Sequence, residues 1–114
     1  MGFVEYDLRR TAKVEATISA ADLSNYGDNA AETSVARSTS SVLLKASNAS
    51  RKELIIHNNS NGPLFVSFVT PATVGGGVLI GAKETAFFDH TRTAAYGIWK
   101  TGGGGDASIT EITV

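Results

Sequence analysis

The strongest constraint on the fold of this chain is a segment in which two apolar runs flank a cluster of turn-forming residues. Residues 51–68 read Arg-Lys-Glu-Leu-Ile-Ile-His-Asn-Asn-Ser-Asn-Gly-Pro-Leu-Phe-Val-Ser-Phe. β-Branched and aromatic residues favour strands, whereas Asn and Gly tolerate the positive φ angles of tight turns. The segment therefore predicts a β-hairpin, with one strand at residues 54–56 and the other at residues 64–68.

The same pattern of an apolar run followed by turn-forming residues recurs along the rest of the chain. Short apolar runs separated by Gly, Thr, Ser and Asn lie at residues 42–45, 78–80, 85–88, 96–100 and 109–114. Seven strands are thus predicted from Val42 onward, and no strong helical period interrupts them. The pattern predicts an all-β sandwich or barrel. Because chain ends fray unless they are paired, we expect the last run to be an integral strand.

Two features suggest that the sheets carry apolar residues on both faces. Residues 54–56 and 64–66 are apolar at consecutive positions, which is typical of strands covered on both sides. Phe87 and Phe88 are adjacent, and adjacent side chains in a strand point to opposite faces. The N-terminal segment or a neighbouring subunit would have to supply the second cover.

The composition changes near residue 41. Residues 1–41 contain Ala-rich and Ser/Thr-rich tracts with little sustained apolar periodicity. We therefore predict an extended N-terminal arm over residues 1–41 and a β-sandwich domain over residues 42–114. Alternation at residues 3–8 and 14–18 permits one or two strands in the arm. A helix over residues 12–23 is the alternative, disfavoured by the stiff side chains of Val14, Thr17 and Ile18.

Composition and charge argue against several classes of protein. The net charge is -1, and the basic residues are scattered, whereas nucleic-acid binding normally uses clustered Lys and Arg. The absence of cysteine excludes a disulfide scaffold and fits synthesis in a reducing cytoplasm. Charged residues occupy the positions where a signal peptide needs an apolar core, and no run approaches the ~20 apolar residues of a membrane span. We expect no nucleic-acid partner and no membrane partner.

The sequence offers few residues for catalysis. It has two histidines, and its carboxylates lack a catalytic spacing, so no catalytic residue, metal site or cofactor is predicted and the protein is not expected to be an enzyme. The best candidate, Asp89-His90, precedes Thr91-Arg-Thr and is predicted to lie in a surface loop. The glycine runs at residues 75–77 and 102–105 are each followed by strand-like sequence. They predict turning loops, because phosphate-binding loops need a following helix.

Five segments together carry a family resemblance. They are Ala-Ser-Arg-Lys-Glu-Leu-Ile-Ile-His-Asn-Asn-Ser at 49–60, Gly-Pro-Leu-Phe-Val-Ser-Phe at 62–68, Gly-Val-Leu-Ile-Gly-Ala-Lys-Glu at 77–84, Ala-Tyr-Gly-Ile-Trp-Lys at 95–100 and Ile-Thr-Glu-Ile-Thr-Val at 109–114. In this order of strand edges and turns, residues 42–114 resemble small β-rich virion proteins of tailed bacteriophages, which decorate or cement capsids or form head fibres and tail parts.

The resemblance implies a β-sandwich of jelly-roll type and a homotrimeric capsid decoration or cement protein. Such a protein would be a structural protein of the virion, made in the host cytoplasm, that binds the major capsid protein or another virion protein and bridges shell subunits. Its arm would contact the shell. The expected contacts are the apolar and charged anchors of that arm: Phe3, Tyr6, Leu8, Arg9 and Arg10.

A ligand-binding module is the alternative from a different class. A receptor- or glycan-binding domain of a phage tail or fibre would use aromatic side chains as stacking platforms beside a polar loop. The residues expected to line its site are Asp89, His90, Tyr96 and Trp99. A single tryptophan in a β-sandwich is, however, more often part of the core.

Overall fold

The computed structural model describes residues 28–89 and 91–114. These residues form strands and loops, with no helix in the described part of the chain. The eight strands are β1 (Asn29–Ala36), β2 (Val42–Lys45), β3 (Arg51–Ser60), β4 (Leu64–Ser67), β5 (Val78–Ile80), β6 (Thr85–Asp89), β7 (Ala95–Trp99) and β8 (Gly105–Thr113). The predicted all-β fold is confirmed, as are seven strands from Val42 onward.

The strands form two four-stranded sheets that pack together as a β-sandwich. Sheet A has the order β1-β8-β3-β6 and sheet B the order β2-β7-β4-β5, and every pairing is antiparallel. Among these strands, β4 and β5 are the only consecutive two that pair with each other. The other connections pass from one sheet to the other, so both sheets depend on contacts between distant parts of the chain.

The core lies between the sheets and follows the period of two that strands impose. In β3, for example, Leu54, Ile56, Asn58 and Ser60 are buried and alternate with more exposed residues. Side chains from both sheets meet in one hydrophobic cluster, formed by Leu44, Leu54, Ile56, Leu64, Val66, Ile80, Ala95, Trp99, Ala107 and Ile109.

The predicted hairpin between residues 54–56 and 64–68 is wrong. β3 pairs with β6 and β8 in sheet A, whereas β4 pairs with β5 and β7 in sheet B. Residues 61–63 therefore link the two sheets and do not form a hairpin turn. Asn58 and Asn59, which the sequence pattern assigns to the turn together with Asn61 and Gly62, belong to β3. The backbone N–H of Asn58 donates to the carbonyl oxygen of Glu84 at 2.9 Å.

The sandwich extends further toward the N-terminus than the predicted boundary at residue 42. Residues 29–36, assigned to the arm, form β1 and pair with β8 along their whole length. β1 escaped prediction because an Ala-, Ser- and Thr-rich strand at a sheet edge has little apolar periodicity. The expected arm anchors Phe3, Tyr6, Leu8, Arg9 and Arg10 lie outside the described residues, as do the alternatives of strand and helix for residues 12–23.

β8 is an interior strand of sheet A. It pairs with β1 on one side and with β3 on the other. The prediction that the last run is an integral strand is confirmed. Because β8 supplies hydrogen bonds to both neighbours, it holds β1 against the rest of sheet A.

The glycine runs form turning loops, as predicted. Gly75 and Gly77 have φ angles of 88° and 70°, and Gly103 and Gly105 have φ angles of 142° and 107°. A residue with a Cβ atom is strained at these positive φ angles, so glycine is required for these turns. The side chain of Arg37 braces the second loop by donating to the carbonyl oxygens of Thr101 and Gly104 at 2.9 and 3.2 Å.

Candidate functional site

The outer face of sheet B is an apolar surface built from cross-strand neighbours. Leu43 of β2 lies opposite Tyr96 of β7. Phe65 of β4 lies opposite Ile98 of β7 on one side and opposite Leu79 of β5 on the other. Directly opposite residues in antiparallel strands point to the same face, and the alternate positions on the central strands β4 and β7 are buried. We call these five residues the sheet B surface.

The sheet B surface is accessible and carries no charge. Leu43 and Leu79, on the outer strands, are 51 % and 57 % exposed, whereas Phe65, Tyr96 and Ile98, on the central strands, are half-buried. The loop between β4 and β5 also exposes Val69 and Val74. Contiguous apolar surface that is depleted of charge is typical of the centre of a protein–protein contact.

The outer face of sheet A is different. The register places Glu32, Glu53, His57, Asp89 and Asp106 on this face. Its main exposed apolar side chain is that of Phe87, which is 59 % exposed and lies opposite the half-buried Ile55. The two outer faces of the sandwich therefore differ in chemistry, and the sheet B surface is the candidate for association.

The consecutive apolar residues of the sequence explain this surface. In β4, Leu64 and Val66 are buried while Phe65 between them faces outward. Phe87 and Phe88 behave in the same way: the ring of Phe88 packs edge-on against that of Phe68, with centroids 5.2 Å apart, and Phe87 points to solvent. The expectation that two adjacent phenylalanines cannot share one core is confirmed.

A pair of carboxylates lies on the outer face of sheet A. Glu53 of β3 is directly opposite Asp89 of β6. Partial burial raises the pKa of Glu53, and a hydrogen bond to Asp89 and repulsion from its charge raise that pKa further. In residues 28–89 and 91–114, no group of three or more His, Asp or Glu side chains is placed to hold a metal ion.

The residues expected to form a ligand surface are not brought together. Asp89 is exposed on the outer face of sheet A, whereas Tyr96 lies on the outer face of sheet B. Trp99 is fully buried, so its ring is not available to stack on a sugar. His90 lies outside the described residues. Of these residues, only Tyr96 contributes to the sheet B surface.

Two buried polar residues were not predicted. Arg51 and Asn58 have no exposed surface, although Arg51 belongs to one of the two basic pairs of the sequence and Asn58 to a turn-like cluster. Asn58 Nδ2 donates to the carbonyl oxygens of Gly62, Ile80 and Gly81 at 2.8, 3.0 and 3.1 Å. Ile80 and Gly81 lie 22 and 23 residues from Asn58 along the chain, and such distant partners leave no local signal in the sequence. Both Arg51 and Asn58 hold parts of the fold together.

Comparisons with known proteins found a similar fold but no related sequence. No family model matches the sequence, and no curated protein is similar to it. The fold is similar to a solved chain from a study of disulfide-linked pili that form Bacillus endospore appendages, with 13 % sequence identity and a TM-score of 0.49. That similarity covers 76 % of this chain and 86 % of the other chain. The described part of the chain contains no helix with the length and apolarity needed to cross a membrane.

Proposed function

We propose that this protein is a structural protein of a virion, which binds the outer shell of the capsid and bridges neighbouring shell subunits. The observation that carries the proposal is the sheet B surface, an apolar face of five uncharged residues that is exposed at Leu43 and Leu79 and half-buried at its centre. The resemblance of residues 42–114 to phage virion proteins supplies the class of partner, the major capsid protein or another virion protein.

The size of the sheet B surface favours a contact that is repeated many times. Strands about 4.8 Å apart with a rise of about 3.4 Å per residue make a four-stranded face of these lengths about 15 Å on a side. The area of such a face is well below the about 800 Å² that each partner buries in a stable interface of standard size. A single contact is therefore weak, whereas many copies on a repeating lattice bind strongly through avidity.

Two further features belong to the proposal. Eight strands in two sheets of four, with most connections passing between the sheets, fit the predicted jelly-roll type. The homotrimer and the shell-contacting arm remain predictions from the resemblance. Binding of a receptor or glycan has less support, because the expected tryptophan platform is buried.

Co-sedimentation with capsid shells tests the proposal. The shells are empty capsids assembled from the major capsid protein of the proposed virion, and two variants are compared with the wild-type protein. Leu79→Asp places a charge on the sheet B surface, whereas Phe87→Asp changes a side chain of similar exposure on sheet A, 59 % against 57 %.

We expect wild-type protein and Phe87→Asp to co-sediment with the shells, and Leu79→Asp to lose at least tenfold in the bound fraction. Failure of wild-type protein to bind would contradict the proposed function. Equal binding by the two variants would show that the sheet B surface does not contribute to shell binding. Deletion of residues 1–10 tests the predicted arm separately, since unchanged binding would exclude a contribution from its anchors.

A further inference from the structure

β1 is the longest of the four strands at the edges of the two sheets. It has 8 residues, whereas β2, β5 and β6 have 4, 3 and 5. Its pairing with β8 runs from Asn29 opposite Thr113 to Ala36 opposite Asp106 without a register shift. Within residues 28–89 and 91–114, no strand pairs with the other edge of β1.

The hydrogen bonding of Arg37 shows which backbone groups of β1 face that edge. The backbone N–H of Arg37 donates to the carbonyl oxygen of Gly105 at 3.1 Å, which continues the β1–β8 ladder. In an antiparallel ladder, every second residue bonds to the same neighbour. The odd-numbered residues of β1 therefore bond to β8. The even-numbered residues direct N–H and C=O to the opposite edge, which no described strand pairs with and which we call the free edge. These residues are Ala30, Glu32, Ser34 and Ala36.

We propose that the free edge of β1 pairs antiparallel with β1 of a second copy of this chain, about a twofold axis at Thr33. In this register Ala30 lies opposite the partner's Ala36, and Glu32 lies opposite the partner's Ser34. Each of these four residues then donates its backbone N–H to the residue opposite it and accepts the N–H of that residue. The two copies of sheet A become one continuous sheet.

The residue types of β1 select this register over its neighbours. A register centred on Glu32 places two carboxylates directly opposite each other, which is unfavourable. A register centred on Ser34 leaves the N–H and C=O of Ala30 without a partner in β1. Only the register centred on Thr33 pairs all four outward-facing residues and separates the two Glu32 side chains.

β1 also lacks the features that protect sheet edges from pairing. Proteins block edges with proline, lysine, bulges or short strands. β1 contains no proline, no lysine and no bulge, and its outward residues other than Glu32 are small. β2, by contrast, has 4 residues and a register irregularity between Leu43 and Lys45. The inference concerns pairing of the protein with itself and does not depend on the virion assignment. The twofold dimer is an alternative to the homotrimer expected from the resemblance.

A single cysteine tests the register, because the natural chain contains none. In the proposed dimer, Thr33 faces the partner's Thr33 as a non-hydrogen-bonded pair with Cα atoms about 4.5 Å apart. Disulfides form at Cα separations of about 4.4–6.8 Å, so Thr33→Cys is expected to form a covalent dimer under mild oxidation. Ser34→Cys is the matched control. It faces the partner's Glu32 and is expected to stay largely unlinked.

A second pair of variants tests the backbone hydrogen bonds. Ser34→Pro removes an N–H that is directed to the free edge and not used by β8, whereas Ser34→Ala keeps it. Native mass spectrometry at micromolar concentration is expected to show dimers for the wild-type protein and Ser34→Ala, with at least tenfold weaker association for Ser34→Pro. Circular dichroism establishes that each variant is folded.

Three results would overturn the inference. The first is a wild-type protein that remains monomeric at micromolar concentration. The second is equal disulfide formation by Ser34→Cys and Thr33→Cys. The third is a trimer in which Thr33→Cys does not cross-link.

Discussion

The Nε of Arg51 donates to Oε2 of Glu111 at 2.8 Å, although the arginine side chain has no exposed surface. The other guanidinium nitrogens donate to the carbonyl oxygens of Thr91 and Thr93, at 2.8 and 2.9 Å, and of Ala46. Arg51 thus joins β8 to the loops that follow β2 and β6. The ion pair is costly to bury, but each guanidinium nitrogen of Arg51 has an acceptor.

Replacing Glu111 by glutamine should destabilise the protein strongly. The buried guanidinium then lacks a counter-charge, and breaking a buried pair from one side costs about 3 kcal/mol. Urea unfolding followed by circular dichroism measures the change. Lys52→Ala is the control, since it breaks the exposed pair of Lys52 and Asp28 and should cost less than about 1 kcal/mol. Equal losses for the two variants would show that Arg51 does not depend on its carboxylate.

Replacing Asn58 by alanine should also lower the free energy of unfolding, by about 3 kcal/mol. The substitution leaves carbonyl oxygens without a donor and removes an acceptor for the indole Nε1 of Trp99, which lies 3.3 Å from Asn58 Oδ1. Trp99 is the single tryptophan, so its fluorescence reports the change. Asn59→Ala, at the exposed neighbouring position, is the control and should be nearly neutral. A neutral Asn58→Ala would contradict this account of the network.

Replacing Gly97 by alanine should destabilise the core by about 1–3 kcal/mol through overpacking. A Cβ at Gly97 would lie 2.8 Å from Cδ1 of Leu44 and 3.0 Å from Cδ1 of Leu64. At Gly104 a Cβ meets nothing within 4 Å, so Gly104→Ala is the matched control and should be tolerated. Thermal unfolding of both variants checks the difference. Equal melting temperatures would mean that the leucines move aside without cost.

Replacing Glu53 by glutamine should stabilise the protein near neutral pH. The pKa of Glu53 is raised above its ordinary value of 4.5, so the folded state holds this proton to higher pH than the unfolded state does. The free energy of unfolding therefore falls as the pH rises from 4.5 through the pKa of Glu53 in the folded protein, because Glu53 then becomes charged. We expect Glu53→Gln to be more stable than the wild-type protein at pH 7 by about 0.5 kcal/mol, the size of an unfavourable cross-strand pair.

The difference between Glu53→Gln and the wild-type protein should vanish below about pH 4, where Glu53 is protonated in both states. Asp89→Asn should give a smaller gain at pH 7, because it relieves the repulsion but leaves the Glu53 carboxylate partly buried, and the double variant should gain little more than Glu53→Gln alone. Urea unfolding between acidic and neutral pH measures all three variants. A gain that is independent of pH would contradict a role for the carboxylate pair.

The strands of this fold could be predicted where apolar runs end at turn residues. β2 and β5 lie at the predicted residues 42–45 and 78–80. The pairing of strands could not be predicted in the same way. Asn58, Asn59 and Ser60 resemble a turn, but they continue β3, and Asn58 Nδ2 donates to the carbonyl oxygens of Gly62, Ile80 and Gly81, two of which lie far along the chain.

The candidate site was predictable only in part. Apolar residues at consecutive positions indicated strands with a second apolar face, and Phe65 and Leu79 lie on such a face. Which side of each strand faces outward depends on the packing of the two sheets. Trp99 illustrates the limit, since the same residue type serves as a core side chain or as a ligand platform, and its burial follows from tertiary structure.

The position of β8 has a consequence for the order in which the protein can fold during synthesis. β8 is the last of the eight strands along the chain, yet it lies between β1 and β3. While the ribosome is still translating β7, β1 has no partner among the described strands, and the edge of β3 is open. Sheet A is therefore completed only after β8 has left the exit tunnel, and the nascent chain must keep two strand edges free of other contacts until then.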